Sequence, residues 1–113
     1  CEGMLSTEFK HGPLSAVQDG YPVIFVAGPE DVPLLISGIN ETTCRGGWAI
    51  AIAEDDPRLV ANADDLIVLP SADPLLNPLL ATVPLQLLAY RLSVARGHDP
   101  DFPRNLSKTL TVD

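Results

Sequence analysis

Three short apolar runs constrain the fold of this chain more than any other feature. They are Pro22–Gly28, Trp48–Ala53 and Leu66–Leu69. Runs that are apolar at every position, rather than at every second one, are typical of strands buried on both faces of a parallel sheet. The sequence therefore predicts a parallel sheet that is covered by helices.

Helical patterns separate these strands. Residues 31–45 have apolar side chains at helical spacing and end before Gly46, whereas residues 58–64 indicate either a short helical turn or a loop. A strand–helix–strand order is typical of a doubly wound, flavodoxin-like α/β domain with right-handed crossovers. The 113 residues suit one domain, and we expect residues 1–113 to form a single one.

The longest apolar helix is predicted near the end of the chain. It covers Leu79–Arg96, follows a proline-rich connection and stops at Gly97. Pro84 lies within this pattern, so it either kinks the helix or marks its true start.

A short helix is also predicted near the start of the chain. Ser6 or Thr7 would cap it, and Gly12-Pro13 would stop it after Lys10. This arrangement places His11 at a junction between a helix and a loop, where functional residues often collect. An isolated histidine is otherwise more often structural than catalytic.

The charge balance excludes some partners. Fifteen Asp and Glu against seven Lys and Arg give a net charge of −8, which argues against binding to nucleic acid or anionic membranes. We find neither an uninterrupted apolar run of the roughly 18 residues that a membrane span needs nor a secretory leader, so we expect a cytoplasmic protein. An anionic ligand would have to be bound locally, by helix N-termini, hydroxyls and a few cations.

No metal or cofactor site is predicted. Cys1 and Cys44 have neither CxxC spacing nor nearby histidines, so we expect both to be free thiols. The acidic cluster Glu54-Asp55-Asp56 is interpreted as a solvated loop after a strand rather than as a metal site. A P-loop and a GxGxxG motif are both absent from the sequence.

The last eleven residues contain one of the two lysines of the protein, Lys108. A lysine in a terminal segment is commonly a solvated charge, but it is also the residue that forms Schiff bases with carbonyl substrates. Ser107 and Asn105 flank it and are either turn-forming polar residues or contacts to a substrate.

Three motifs resemble one family. Glu8–Leu14 (EFKHGPL) is similar to the ELKHGPL of the isomerising glutamine:fructose-6-phosphate aminotransferases, and Thr82–Tyr90 reads TVPLQLLAY as it does there. The terminal PRNLSKTLTVD, residues 103–113, resembles the family's PRNLAKSVTVE-like end. The chain thus resembles the C-terminal sugar isomerase (SIS) domain of these enzymes.

The resemblance implies an activity and roles for several residues. Lys108 would form a Schiff base with open-chain fructose 6-phosphate, and residues 98–113 would form a tail over the active site. His11 would help to open the sugar ring and reach into a neighbouring subunit, which implies a homodimer. Lys10, Asn105 and Ser107 become candidates for substrate binding, and no cofactor is implied.

The resemblance also implies parts that this sequence lacks. The family's glutamate base would lie upstream of Cys1, and its phosphate-binding loop belongs to a preceding SIS domain. We therefore expect an N-terminally incomplete domain that is inactive alone, from a parent with another SIS domain and a glutaminase domain. The alternatives are a non-catalytic sugar-phosphate sensor and a sugar-phosphate deaminase or deglycase.

Overall fold

The computed structural model describes residues 1–102, which contain three strands and four α-helices. The chain divides into two compact units, Cys1–Ala81 and a second that begins at Thr82, which are described separately. The elements are β1 (Pro22–Val26), β2 (Trp48–Glu54), β3 (Asp65–Leu69), α1 (Ser6–Phe9), α2 (Val32–Thr43), α3 (Pro57–Asn62), α4 (Asn77–Ala95), and two 3₁₀ turns at Pro13–Ala16 and Pro74–Leu76.

The strands form one parallel sheet in the order β1-β2-β3. Ala51 at the centre of β2 pairs with Phe25 of β1 on one side and with Leu66 of β3 on the other. The predicted parallel α/β fold is therefore confirmed, and each apolar run of the sequence forms a strand.

The core of the first unit lies on one face of this sheet. Three alanines of β2, Ala49, Ala51 and Ala53, are buried there because alternate residues of a strand face the same side. Such small side chains let α2 approach the sheet closely. The helices contribute larger buried side chains to the same cluster, namely Val32, Leu35 and Ile39 from α2 and Leu59 from α3.

The opposite face of the sheet is less evenly covered. Ile52 at its centre is buried, but Ile24, Val26 and Ile67 on the neighbouring strands are partly exposed. The prediction of strands buried on both faces is thus correct for the middle of β2 and only partly correct for β1 and β3.

The first helix begins differently from the prediction. Leu5 is its N-cap and makes no side-chain capping bond, while Ser6 and Thr7 lie inside the helix. The expectation that Ser6 or Thr7 caps α1 was wrong. A helix of four residues is held by tertiary packing rather than by its cap, and Phe9 is the buried residue that supplies this packing.

In the second unit, the helix ends as the sequence predicts. Gly97 has a φ of 73°, its N–H donates to Val94 O at 2.9 Å, and the His98 N–H donates to Ser93 O at 2.9 Å. This pair of hydrogen bonds is a Schellman motif, which favours glycine at the left-handed position. Pro84 lies inside α4 and is therefore not its start.

The helical segment Pro74–Ala95 is long and apolar enough to cross a membrane by length and composition. Polar residues such as Gln86 and Arg91 interrupt the apolar residues of this segment, but the segment is apolar on average. Core helices of soluble proteins pass the same test.

Candidate functional site

A tight turn after α1 presents His11. The His11 N–H donates to Glu8 O at 3.0 Å, and the Ser15 N–H donates to Gly12 O at 2.9 Å, so both sides of the turn are held by backbone hydrogen bonds. Gly12 adopts φ 152° and ψ −58°, which is strained for any residue with a Cβ. The His11 side chain is exposed, as the predicted junction between helix and loop requires.

Lys10 immediately precedes His11 and is also exposed. The structure thus brings together the two candidate residues of the KHGP sequence on one turn of the first unit. Three further candidates, Lys108, Ser107 and Asn105, lie outside the described residues, and their predicted roles stay predictions.

The carboxyl ends of the strands are a second candidate region, since ligands of open α/β sheets bind at this edge. The Ala27 N–H donates to Ile52 O at 3.1 Å, so β1 stays paired with β2 up to this point. The next residue, Gly28, turns away, and its N–H donates to Asp31 Oδ2 at 3.2 Å. This hydrogen bond fixes the turn that leads from β1 into α2.

Two buried oxygen atoms lie at the same edge. The Oε1 atom of Glu54, the last residue of β2, and the Oδ1 atom of Asn77, the first residue of α4, have no hydrogen-bond partner among the described residues. Asn77 also lies against Gly28, because its Nδ2 is 3.6 Å from the position that a Cβ would occupy there. Sequence analysis missed both residues, although the alternation along β2 is a signal that could have separated Glu54 from the loop that follows.

Asp56 has a structural role instead of lying free in a solvated loop. Its Oδ1 accepts from the Arg58 N–H at 2.8 Å and caps α3, and its Oδ2 pairs with Arg58 Nη2 at 2.7 Å. Hydrogen bonds from the Arg58 side chain and backbone lower the pKa of Asp56 from 3.8 to about 2, and the same pairing raises the pKa of Arg58. The interpretation of residues 54–56 as one solvated loop was therefore wrong for Glu54 and Asp56.

The described residues contain no cluster of three or more His, Cys, Asp or Glu side chains that could hold a metal ion. Cys1 and Cys44 are exposed free thiols, as expected.

Comparison with known proteins adds to this geometry. The family model described as "SIS domain" matches residues 1–96. Two relatives named "Glutamine--fructose-6-phosphate aminotransferase [isomerizing]" come from Thermococcus kodakarensis, with 44% identity over 113 residues, and Pyrococcus horikoshii, with 45% identity over 113 residues. A relative of the same name from Mycobacterium bovis is 44% identical over 118 residues.

These matches cover nearly the whole of this chain and a small part of each relative. In all three, 99% of this chain aligns to 19% of the relative's length. A solved structure, the C-terminal domain of glucosamine-fructose-6-phosphate aminotransferase from Francisella tularensis, superposes with a TM-score of 0.77 at 31% identity. That superposition covers 87% of this chain and 28% of the solved chain.

Proposed function

Because this chain belongs to the SIS domain family, we propose that it forms part of the isomerising domain of a glutamine–fructose-6-phosphate aminotransferase. The observation that carries the proposal is the identity of 44–45% over 99% of the chain to relatives that bear this name. The solved C-terminal domain of such an enzyme supports it with a similar fold.

In this proposal Lys108 and His11 carry the chemistry that the family resemblance implies. His11 helps to open the sugar ring, so that C2 of fructose 6-phosphate becomes a free ketone. The neutral Lys108 amine then adds to C2, and loss of water gives an imine. A tail over the substrate would exclude water and favour the neutral amine, because desolvation disfavours the charged form of a lysine.

The remaining parts of the proposal concern the assembly. Residues 1–113 belong to one SIS domain, with residues 98–113 as the tail over the active site. Lys10, Asn105 and Ser107 contribute to substrate binding. We further propose a cytoplasmic homodimer in which His11 serves the neighbouring subunit, and a parent protein with another SIS domain and a glutaminase domain.

Two measurements on the full-length protein test this function. Lys108→Ala should abolish the conversion of fructose 6-phosphate to glucosamine 6-phosphate while glutamine hydrolysis remains measurable. Borohydride should trap a fructose 6-phosphate adduct on the wild-type protein and not on Lys108→Ala. Arg91→Ala is the matched control, since it removes a positive charge from an exposed residue of α4 to which no role is assigned, and it should leave the adduct intact.

Unchanged isomerisation in Lys108→Ala would refute the assignment of Lys108 as the residue that forms the Schiff base. Binding of fructose 6-phosphate without any trapped adduct would favour the sugar-phosphate sensor over the enzyme.

A further inference from the structure

The imidazole of His11 is exposed and makes no hydrogen bond within residues 1–102. In this part of the chain, the backbone of its turn therefore sets where the imidazole lies. The His11 N–H donates to Glu8 O at 3.0 Å, and this hydrogen bond joins the turn to α1. The position of His11 thus depends on whatever holds α1 in place.

Two buried side chains hold the ends of the exposed stretch that contains His11. Phe9 lies two residues before His11 and Val17 lies six residues after it, and they are 8% and 9% exposed. Val17 closes a separate turn, in which its N–H donates to Leu14 O at 3.2 Å. Because the hydrogen bond of His11 is on the α1 side, Phe9 is the nearer anchor.

The ring of Phe9 rests on the ring of Phe25, and α2 limits where that second ring can lie. The two rings pack edge to face with their centroids 6.2 Å apart. A Cβ at Gly38 of α2 would lie 3.0 Å from Phe25 Cε1 and 3.7 Å from Cζ. The Thr42 hydroxyl donates to Gly38 O at 2.9 Å, and Thr42 is fully buried, so the backbone of Gly38 is held. A methyl group added at Gly38 would therefore displace the Phe25 ring by a few tenths of an ångström.

We propose that Gly38 and Phe25 are positioning residues, which act on His11 through Phe9. This inference rests on the proposed function, in which His11 helps to open the sugar ring. In ring opening the C2–O5 bond of fructose 6-phosphate breaks, O5 takes up a proton and the hydroxyl group on C2 loses one. A side chain that transfers such a proton must lie within about 3 Å of the sugar oxygen, so small shifts of the turn should slow this step.

The test separates ring opening from the steps that follow it. The rate at which borohydride traps an adduct on Lys108 is measured in the full-length protein with two substrates, below the lowest unfolding midpoint of the variants. Fructose 6-phosphate must open before it can form the imine. The analogue 5-deoxyfructose 6-phosphate lacks the hydroxyl group that closes the ring, so it is always an open-chain ketone and does not need His11 for this step.

Gly38→Ala should slow trapping of fructose 6-phosphate about fivefold and leave trapping of the open-chain analogue unchanged. His11→Asn should give the same difference between the two substrates, with a larger loss. Val17→Ala is the matched control, because it shortens the other buried anchor of the stretch. It should lower the unfolding midpoint without a selective loss for the cyclic substrate.

Phe25→Leu is a second variant, which remains informative if Gly38→Ala fails to fold. It removes the aromatic partner of Phe9 and should also slow trapping of the cyclic substrate selectively. In this background Gly38→Ala should add little further loss, because the ring atom that the new methyl group would meet is absent.

Two results would overturn the inference while the proposed function stands. The first is a selective loss in His11→Asn without one in Gly38→Ala and Phe25→Leu. The second is an equal selective loss in Val17→Ala, which would mean that general loosening of the first unit moves His11. If the wild-type protein forms no adduct with either substrate, the proposed function fails, and this inference fails with it.

Discussion

The aromatic rings of Phe9 and Phe25 pack edge to face, with their centroids 6.2 Å apart and their planes at 87°. Both side chains are buried, and Phe25 belongs to the core cluster of the sheet. Since Phe9 is two residues before His11, this contact attaches the His11 turn to the core of the first unit. Gly38 of α2 makes room for the Phe25 ring, because a Cβ at Gly38 would lie 3.0 Å from Phe25 Cε1.

Phe9→Ala should destabilise the first unit and loosen the turn that carries His11. Truncation of a buried phenylalanine typically lowers the free energy of unfolding by about 3–5 kcal/mol. We expect about 3 kcal/mol, because α1 is short and the site can partly collapse. Urea denaturation measures this loss as a lower midpoint. The matched control is Phe102→Ala, whose side chain is 82% exposed and whose removal should change the free energy by no more than about 0.5 kcal/mol.

Equal effects of the two truncations would contradict the role of Phe9 as an anchor. A second comparison uses Phe9→Leu, which keeps much of the buried apolar volume but loses the aromatic contact. The free energy of unfolding of Phe9→Leu should lie between those of wild type and Phe9→Ala.

Gly47→Ala should be strongly destabilising for steric reasons. A Cβ at Gly47 would lie 2.6 Å from Val17 Cγ1, 2.8 Å from Thr42 Cγ2 and 3.1 Å from the Thr42 carbonyl oxygen. Thr42 is fully buried, so it has no space to move into. We expect a loss of about 1–3 kcal/mol in the free energy of unfolding, from urea denaturation.

The control for this substitution is Gly3→Ala. A Cβ at Gly3 would meet no atom within 4 Å, so the change should be nearly neutral. A Gly47→Ala protein as stable as Gly3→Ala would show that the junction of α2 and β2 is looser than the structure describes.

The sequence was sufficient to predict the elements whose patterns reflect burial. The apolar runs around Phe25, Ala51 and Leu66 form neighbouring strands. A short run that is apolar at every position is typical of a buried strand in a parallel sheet. The helical spacing around Ile39 became α2 for the same reason. Burial requires a regular pattern of apolar residues, and such a pattern can be recognised in a single sequence.

Features that depend on one tertiary contact were not predictable in the same way. Leu5 rather than Ser6 is the N-cap of α1, because packing of Phe9 sets the position of so short a helix. Asn77 lies against Gly28, which is 49 positions earlier in the sequence, and no local pattern of residues indicates that contact. The three candidates in the tail depend on the family resemblance alone.

Gly12→Ala should impair the proposed isomerisation through the position of His11. Nothing lies within 4 Å of a Cβ at Gly12, so the substitution is opposed by the backbone conformation at φ 152° and not by a clash. An alanine held in this backbone conformation is strained by about 1–3 kcal/mol, and the turn should change its conformation to relieve this strain. We expect a lower rate of isomerisation with an unchanged rate of glutamine hydrolysis in the full-length protein.

A double-mutant cycle separates this effect from general damage. In a His11→Asn background the Gly12→Ala change should reduce isomerase activity little further, because the imidazole that Gly12→Ala would displace is already absent. Additive losses would mean that Gly12 acts independently of His11.

Asp56→Asn should destabilise α3 in a manner that depends on pH. The asparagine side chain can still accept a hydrogen bond from the Arg58 N–H. It lacks the negative charge that pairs with Arg58 and that interacts favourably with the N-terminal end of the helix dipole. Because the pKa of Asp56 in the folded protein is lowered from 3.8 to about 2, its carboxylate contributes stability above pH 3.8. This contribution is lost as the pH falls from 3.8 towards 2, where the folded protein also takes up the proton.

The measurement is the unfolding midpoint of wild type and Asp56→Asn between pH 7 and pH 2. The difference between them should be constant from neutral pH to about pH 5, then shrink and nearly vanish close to pH 2. Asp55→Asn is the control, since it removes a charge of the same sign from the adjacent exposed residue. A difference for Asp56→Asn that persists unchanged at pH 2 would mean that the capping geometry, rather than the charge of Asp56, stabilises this helix.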